Sequence, residues 1–421
     1  MIRCIHNGYI FSGISKEDQK GAVLIENGVI ADVFTEQRFN NKTFGPDVEI
    51  IDAKGNYILP GLIDTHIHGF KGHGTDECTT EGILQMSKDL AQYGVTAFNP
   101  TMYPAPLDQM LDTCKKIVAA MGKEEGAHIM GIHLEGPFIS PEKLGVQKPE
   151  TLQKPDIEVM KKLIAAADGH IVNMTVAPEL SGMRELALFC IEQGIVLQAG
   201  HTNAKYENML EGMQIGILHT THFFNAMSSL HHRNPGAVGA GLIHPEISCE
   251  IIADGVHVHP GLLKLLRADK SSDQIILVTD ALTPTVQKTG HLYANGEEVE
   301  FTDGCFHRKS DGVIAGSALT LKKGIKNMID FGFSLSQSSH IQMDNVNLKL
   351  FNKLEVLNPD INTCMACGLC TATCTAGNFT DVSFRQIILM LQRGKEKEAL
   401  QKVKKCMMCG KCMLVCSRGI N

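Results

Sequence analysis

Along the first 340 residues, short apolar β-branched runs alternate with stretches whose apolar positions recur at helical spacing. From Tyr57 to about Gly332 eight β-runs can be counted, ending near His68, Pro100, Glu135, Ala177, His201, His222, Asp254 and Asp280. The stretches between them, such as EGILQMSKDLAQYG, DIEVMKKLIAAAD and MRELALFCIEQG, place apolar residues three and four apart, the spacing of one buried helix face. Strand and helix in alternation predict a parallel sheet wound by right-handed crossovers, either open or closed into a barrel. Residues 1–58 read differently. Short strand-like runs (GAVLIENGVIADVF, DVEIIDAKGNYIL) are broken by Asn-Gly and Gly-Asn turn signals, which predicts a small β element. The stretch FSLSQSSHIQMDN is polar and aperiodic and predicts a junction at 336–345. Beyond it, DVSFRQIILMLQRGKEKEALQKVKK reads as two helices with Gly394 between them. The predicted organisation is a β element over 1–58, an α/β unit over 59–335 and a small all-α module over 346–421.

Candidate chemistry decides between open sheet and barrel. His66-x-His68, Glu135, His201, His222 and Asp280 each lie at the end of one of the β-runs. Residues i and i+2 of a strand point to the same side, so His66 and His68 can reach one ion together. Ligands on the first, third, fifth, sixth and eighth runs would be far apart on an open sheet. A closed (β/α)₈ barrel gathers them at the C-terminal ends of its strands, where such barrels carry their active sites. A lone histidine is more often a hydrogen-bonded structural residue, and His6, His128, His170 and His291 are read that way. The set of five runs is read as a metal site, with Asp280 as ligand, base or both. Mixed imidazole and carboxylate suits zinc or divalent iron, one ion or two.

Composition adds a second module. Of 14 cysteines, Cys4, Cys78, Cys114, Cys190, Cys249 and Cys305 are scattered, share no metal spacing and are expected to be inert packing residues. The other eight fall between Cys364 and Cys416. Residues 343–421 hold 11 Lys and Arg against 6 Asp and Glu, a net of +5 within a chain of net −7, leaving −12 for the rest. No stretch is long and apolar enough to span a membrane, and the N-terminus carries no signal-peptide pattern, so a cytoplasmic location is expected. Neither nucleic-acid binding nor membrane insertion is expected.

The segments LPGLIDTHIHG, GIHLEGPFIS, AGHTNA, THFFNAMSSLHHRNPG, IADGVHVHP, LVTDAL and AGSALT closely resemble the N-acetylglucosamine-6-phosphate deacetylases of the amidohydrolase superfamily, over about residues 1–335. The resemblance implies a metal held by Glu135, His201 and His222, with His66 and His68 available for a second ion and Glu135 as the bridge. It implies that Asp280 accepts the attacking water's proton and hands it to the leaving amine, and that His257 polarises the acetyl carbonyl. Arg233 would clamp the substrate phosphate, reaching across a dimer interface, so a homodimer is implied. Asn225 and Ala226 would offer amide groups to sugar and phosphate. Gln147 stands where other members often carry histidine, so its sugar contact departs from the family pattern.

Cys364-x₂-Cys367-x₂-Cys370-x₃-Cys374 and Cys406-x₂-Cys409-x₂-Cys412-x₃-Cys416 repeat the spacing of [4Fe–4S] sites, which a zinc site does not need. With the helical segment between them, they make residues 343–421 resemble the α-helical ferredoxin component of heterodisulfide reductases. Two [4Fe–4S] clusters and a redox partner are implied. In two-cluster ferredoxins the fourth cysteine of a run serves the other cluster. The expected sets are Cys364, Cys367 and Cys370 with Cys416, and Cys406, Cys409 and Cys412 with Cys374. Thr375 and Ser417 replace the proline that commonly follows.

The deacetylases continue past the GSALTLKKGIKNMIDFG segment with elements that complete the N-terminal β element. Here iron–sulfur spacing follows instead, so exposed sheet edges are expected within 1–58. Three functions remain open at this point. The chain could be a metal-dependent amide hydrolase with an appended iron–sulfur module, an electron-transfer protein carrying a truncated inactive barrel, or a sugar-phosphate binding protein.

Overall fold

The structure, a computed structural model, describes residues 2–11, 19–287 and 292–334. The junction, the helices expected after Asp381 and all eight cysteines from Cys364 to Cys416 lie outside the described residues, as does His291.

Eight parallel strands form the barrel: Leu62–Ile67, Val95–Met102, Ile132–Glu135, Ile171–Val176, Val196–Ala199, His219–Thr220, Ser248–Ile252 and Ile275–Val278. Each pairs in parallel with its neighbour in sequence order. The ring closes where Asp280 N–H donates to His66 O and His68 N–H to Ala281 O, both at 2.9 Å. The helices Thr80–Ala91, Leu107–Ala120, Ile157–Ala166, Met183–Glu192, Tyr206–Gln214, Gly236–Ile243, Pro260–Asp269 and Leu321–Asp330 follow the strands. Several of their starts are capped by the side chains expected of N-caps. Thr79 accepts from Gly82 N–H, Asp156 from Glu158 and Val159 N–H, and Thr320 from Lys323 N–H.

Alternation along the strands has an inverted meaning here. Leu134, Met174, Leu197, Ile251 and Leu277 are buried in the main apolar cluster that the helices cover. Burying each such side chain contributes about 1.5–3 kcal/mol. The polar residues between them turn towards the barrel axis, where Asn99, His133, Asn173, Gln198 and Glu250 are all buried. The barrel floor is therefore a hydrogen-bonded polar layer rather than a packed aliphatic one.

Two further sheets accompany the barrel. In the first, Ile2–Ile10 pairs antiparallel with Gln19–Glu26 and parallel with Val48–Asp52 and Tyr57–Ile58, while Val29–Thr35 forms an edge. Its hairpin turns at Asn27 (φ 52°) and Gly28 (φ 81°), the left-handed pair that an Asn-Gly turn supplies. Val29, Ile30 and Val33 on the edge strand and Ile50 and Ile51 on the opposite one are exposed. The second sheet departs from the expected strand–helix alternation. Leu292–Ala294, Glu297–Thr302, Cys305–Arg308 and Ile314–Ser317 form a four-stranded antiparallel meander between the eighth strand and the last helix. Its turns fall at Asn295-Gly296 and Asp303-Gly304, all four with positive φ.

Among the described residues, no helix is long and apolar enough to cross a membrane.

Candidate metal centre

The strands bring the six ligand-type residues together in two groups, His66–His68–Asp280 and Glu135–His201–His222. Glu135 lies between them. Its Oε1 is 3.1 Å from both His201 Nε2 and His222 Nε2, while its Oε2 is 3.4 Å from His68 Nε2. Asp280 Oδ1 faces His66 Nε2 at 3.5 Å and His68 Nε2 at 3.3 Å. All six side chains are buried, Asp280 least so at 9 % exposure.

Local backbone places them. His66 is carried in a strand and Glu135 ends one, but His201, His222 and Asp280 stand just past their strands with φ of 45°, 31° and 49°. Left-handed backbone at non-glycine residues costs of order 1–3 kcal/mol each and persists only where surroundings enforce it. Here hydrogen bonds enforce it. Ser140 N–H donates to His201 O, Phe223 N–H to Glu250 O, and Ser317 N–H to Asp280 O. The residue before His201 must be glycine, because a Cβ on Gly200 would lie 2.6 Å from the Thr221 Cβ.

The donor set fits a divalent cation. The His201 and His222 Nε2 atoms approach each other to 3.1 Å, two imidazole nitrogens on one carboxylate oxygen. His66 Nε2 is buried with no hydrogen-bond partner among the described residues. Converging lone pairs of this kind are relieved by a cation. Burial raises the Glu135 carboxyl, but the His201 charge and the hydrogen bonds from His201, His222 and His68 outweigh it and hold it well below its ordinary value. Burial likewise raises Asp280, and the His68 hydrogen bond with the fields of His66 and His68 brings it below the usual range.

His257 sits in the loop between the seventh strand and the helix Pro260–Asp269. Its Nδ1 is 2.6 Å from Asp254 Oδ2, while Asp254 Oδ1 accepts from the N–H groups of Val256 and His257. Burial lowers the His257 pKa, and the Asp254 hydrogen bond and charge more than reverse this. Gln147 donates to Glu135 Oε2 at 2.6 Å, and its Oε1 is buried without a partner among the described residues. Asn225 follows His222 and donates through Nδ2 to His222 O at 3.1 Å. Ala226 has φ 49° and accepts from Thr202 N–H at 3.0 Å. Arg233 is not brought to the two groups. It is exposed, with Nη1 2.8 Å from His232 Nε2.

Several residues at the site are not singled out by the sequence pattern. Tyr103 stacks on His68 at 3.7 Å between ring centroids, and Glu250 lies 3.3 Å from His66 Nδ1. Neither carries a sequence signal. Asp254 has one, since its i,i+3 spacing to His257 in DGVH suits a carboxylate–imidazole pair. His133 is near His66, at 4.7 Å between rings, but its nitrogens are engaged by Thr101 and Thr175. Burial, reinforced by the neighbouring His66, holds it well below the usual imidazole range.

Residues 57–350 match the model of the amidohydrolase family, and residues 363–420 match that of the 4Fe-4S dicluster domain. The chain is 35% identical over 317 residues to the N-acetylglucosamine-6-phosphate deacetylase of Bacillus subtilis (strain 168), covering 74% of this chain and 79% of that protein. It is 30% identical over 296 residues to the N-acetylgalactosamine-6-phosphate deacetylase of Escherichia coli O157:H7, covering 70% and 78%. Among solved structures it resembles the N-acetylglucosamine-6-phosphate deacetylase from Thermotoga maritima. That match has a TM-score of 0.72 and 30% identity, over 84% of this chain and 90% of the other.

Proposed function

This chain belongs to the amidohydrolase family, and we propose that it hydrolyses the acetamide of N-acetyl-D-glucosamine 6-phosphate to glucosamine 6-phosphate and acetate. The observation that carries this reading is the Glu135 carboxylate set between two ligand groups, with one oxygen towards His201 and His222 and the other towards His68. His66, His68, Glu135, His201, His222 and Asp280 would hold one or two divalent ions, zinc or iron. An ion held there supplies positive charge that acidifies water and polarises an amide carbonyl.

The chain's own groups do the rest. Asp280 is ionised, so it can take a proton from the attacking water and return it to the leaving amine, which departs as the C–N bond breaks. Its fixed position between His66 and His68 keeps one carboxylate oxygen at the reaction centre. Asp254 accepts from His257 Nδ1–H and its charge favours the doubly protonated imidazolium, whose Nε2–H can donate to the carbonyl oxygen as negative charge develops there. The unpartnered Gln147 Oε1 is an acceptor for a sugar hydroxyl. Asn225 and Ala226 lie on the loop after His222 and offer amide groups to sugar and phosphate. Arg233 has the guanidinium fork that matches phosphate oxygens. Its exposure suits a clamp that serves a second copy of the chain, so a homodimer is part of the proposal.

The C-terminal module carries a 4Fe-4S dicluster domain. We assign it two [4Fe–4S] clusters, on Cys364, Cys367, Cys370 and Cys416 and on Cys406, Cys409, Cys412 and Cys374, exchanging electrons with a separate redox partner in the cytoplasm. The assembled ligand set weighs against a barrel that has lost its chemistry.

Acetate release from the metal-replete chain tests the reading. N-acetylglucosamine 6-phosphate should be turned over, and N-acetylgalactosamine 6-phosphate serves as the competing substrate. No acetate from either, with zinc or iron supplied, would sink the proposal.

A further inference from the structure

A continuous file of hydrogen bonds crosses the barrel floor beneath the site. Asn99 Nδ2 donates to Asn173 Oδ1 at 3.2 Å, Asn173 Nδ2 to Gln198 Oε1 at 2.9 Å, and Gln198 Nε2 to Glu250 Oε1 at 2.5 Å. The other oxygen, Glu250 Oε2, is 3.3 Å from His66 Nδ1. Every member is at most 6 % exposed, and Glu250 only 1 %. The file has a direction. Each amide gives its N–H to the next carbonyl, and the last acceptor is a carboxylate whose free oxygen meets an imidazole. A buried carboxylate is costly to desolvate and is retained where partners satisfy it. Two of its partners, Gln198 and Thr65, hold Oε1, the latter at 3.4 Å, which leaves Oε2 directed at His66.

The other ligand histidines are held differently. His68 Nδ1 faces the Thr101 carbonyl at 3.1 Å and His201 Nδ1 the Lys143 carbonyl at 2.8 Å. His222 Nδ1 has no partner among the described residues. Of the four, only His66 meets a carboxylate through Nδ1.

We propose that Glu250 is a positioning residue for the His66–His68–Asp280 half of the site, fixing the His66 tautomer and adding negative charge that favours a cation there. A carboxylate accepting from Nδ1–H leaves the Nε2 lone pair as the ligand atom and makes it a stronger donor. Because the contact reaches one half of the site, Glu250 acts on the occupancy of that half and leaves Glu135–His201–His222 to its own ligands. The inference rests on the metal-site reading above, and it predicts which of two binding steps responds.

Equilibrium dialysis against Zn²⁺ tests it, using the full-length chain with its clusters intact and chelator-treated beforehand. Wild type, Glu250→Gln, His66→Ala and the double variant are compared. Glu250→Gln should weaken one binding step by about 10–100-fold, the loss typical of removing an outer partner of a ligand histidine. The other step should stay within about two-fold. The weakened step should be the one His66→Ala abolishes, and Glu250→Gln should add nothing in the His66→Ala background. If Glu250→Gln does not fold, Gln198→Met, which removes a donor to the same carboxylate, should give a smaller loss in that step. Equal weakening of both steps, or no change in either, overturns the proposal. A wild-type barrel that binds no Zn²⁺ overturns the metal-site reading itself, and is told apart by the wild-type isotherm alone.

Discussion

Asp64 and Thr279 tie the first barrel strand to the last, with Thr279 Oγ1 donating to Asp64 Oδ2 at 2.7 Å and Thr279 N–H to Oδ1 at 3.2 Å. Both residues are buried. Two residues beyond Asp64 stands His66, and one beyond Thr279 stands Asp280, so the joint that closes the ring also sets their 3.5 Å separation. Asp64→Ala removes both acceptors and strands a buried N–H and hydroxyl. It should destabilise the chain by about 2–4 kcal/mol in denaturant unfolding and lower metal retention. An unchanged midpoint would show that the ring closes without this joint.

The strand-end position of the ligands makes the barrel legible, because only closure brings His66, Glu135, His201, His222 and Asp280 together. The meander over residues 292–317 breaks the expected strand–helix alternation, although Asn295-Gly296 and Asp303-Gly304 are turn signals that announce it. Glu250 is out of reach for a different reason. Nothing in a sequence distinguishes a strand residue facing a polar axis from one facing water. In a barrel with a polar floor, alternation says which residues share a face and not which face is buried. Arg233 is legible from its motif alone, and the structure leaves it exposed, away from the two ligand groups.

Asp280 and Glu135 should separate by substitution. Asp280→Asn keeps shape but removes the proton acceptor, so turnover should fall by about 10²–10⁴-fold with substrate binding nearly unchanged. Glu135→Gln should lose metal by elemental analysis, because a neutral amide cannot serve both ligand groups. Near wild-type turnover in Asp280→Asn would remove that residue from proton transfer.

Arg233→Ala should raise KM for N-acetylglucosamine 6-phosphate far more than for unphosphorylated N-acetylglucosamine. A charge-assisted contact is worth about 1.5–3 kcal/mol, so the difference should be about ten- to hundred-fold. Equal effects on both substrates would place the arginine away from the phosphate.

The scattered cysteines should be silent in the folded chain. Burial pushes the thiols of Cys78, Cys114 and Cys190 up to about 12, and those of Cys249 and Cys305 to about 11. At pH 8 a thiol near 12 is ionised to the order of one part in ten thousand, and only the thiolate reacts. Iodoacetamide followed by peptide mapping should leave these five unmodified until the chain is unfolded. Rapid labelling of Cys190 in the native state would mean that the helix Met183–Glu192 opens.

The two modules should work independently. Hydrolysis of an acetamide moves no electrons, and the roles proposed for Asp280 and His257, proton transfer and hydrogen-bond donation, involve none. Prepared anaerobically, the chain should contain about eight iron atoms in clusters if both cysteine sets fill. With the barrel loaded with zinc, which has no redox chemistry of its own, dithionite reduction of the clusters should leave kcat for deacetylation unchanged. A zinc barrel is the necessary control, because iron in the same ligands would itself respond to the reductant. A reversible change in kcat that follows the cluster redox state would show that the C-terminal module regulates the barrel. The charge carried by the clusters, rather than their electrons, would then be the first cause to examine, by repeating the assay at high salt.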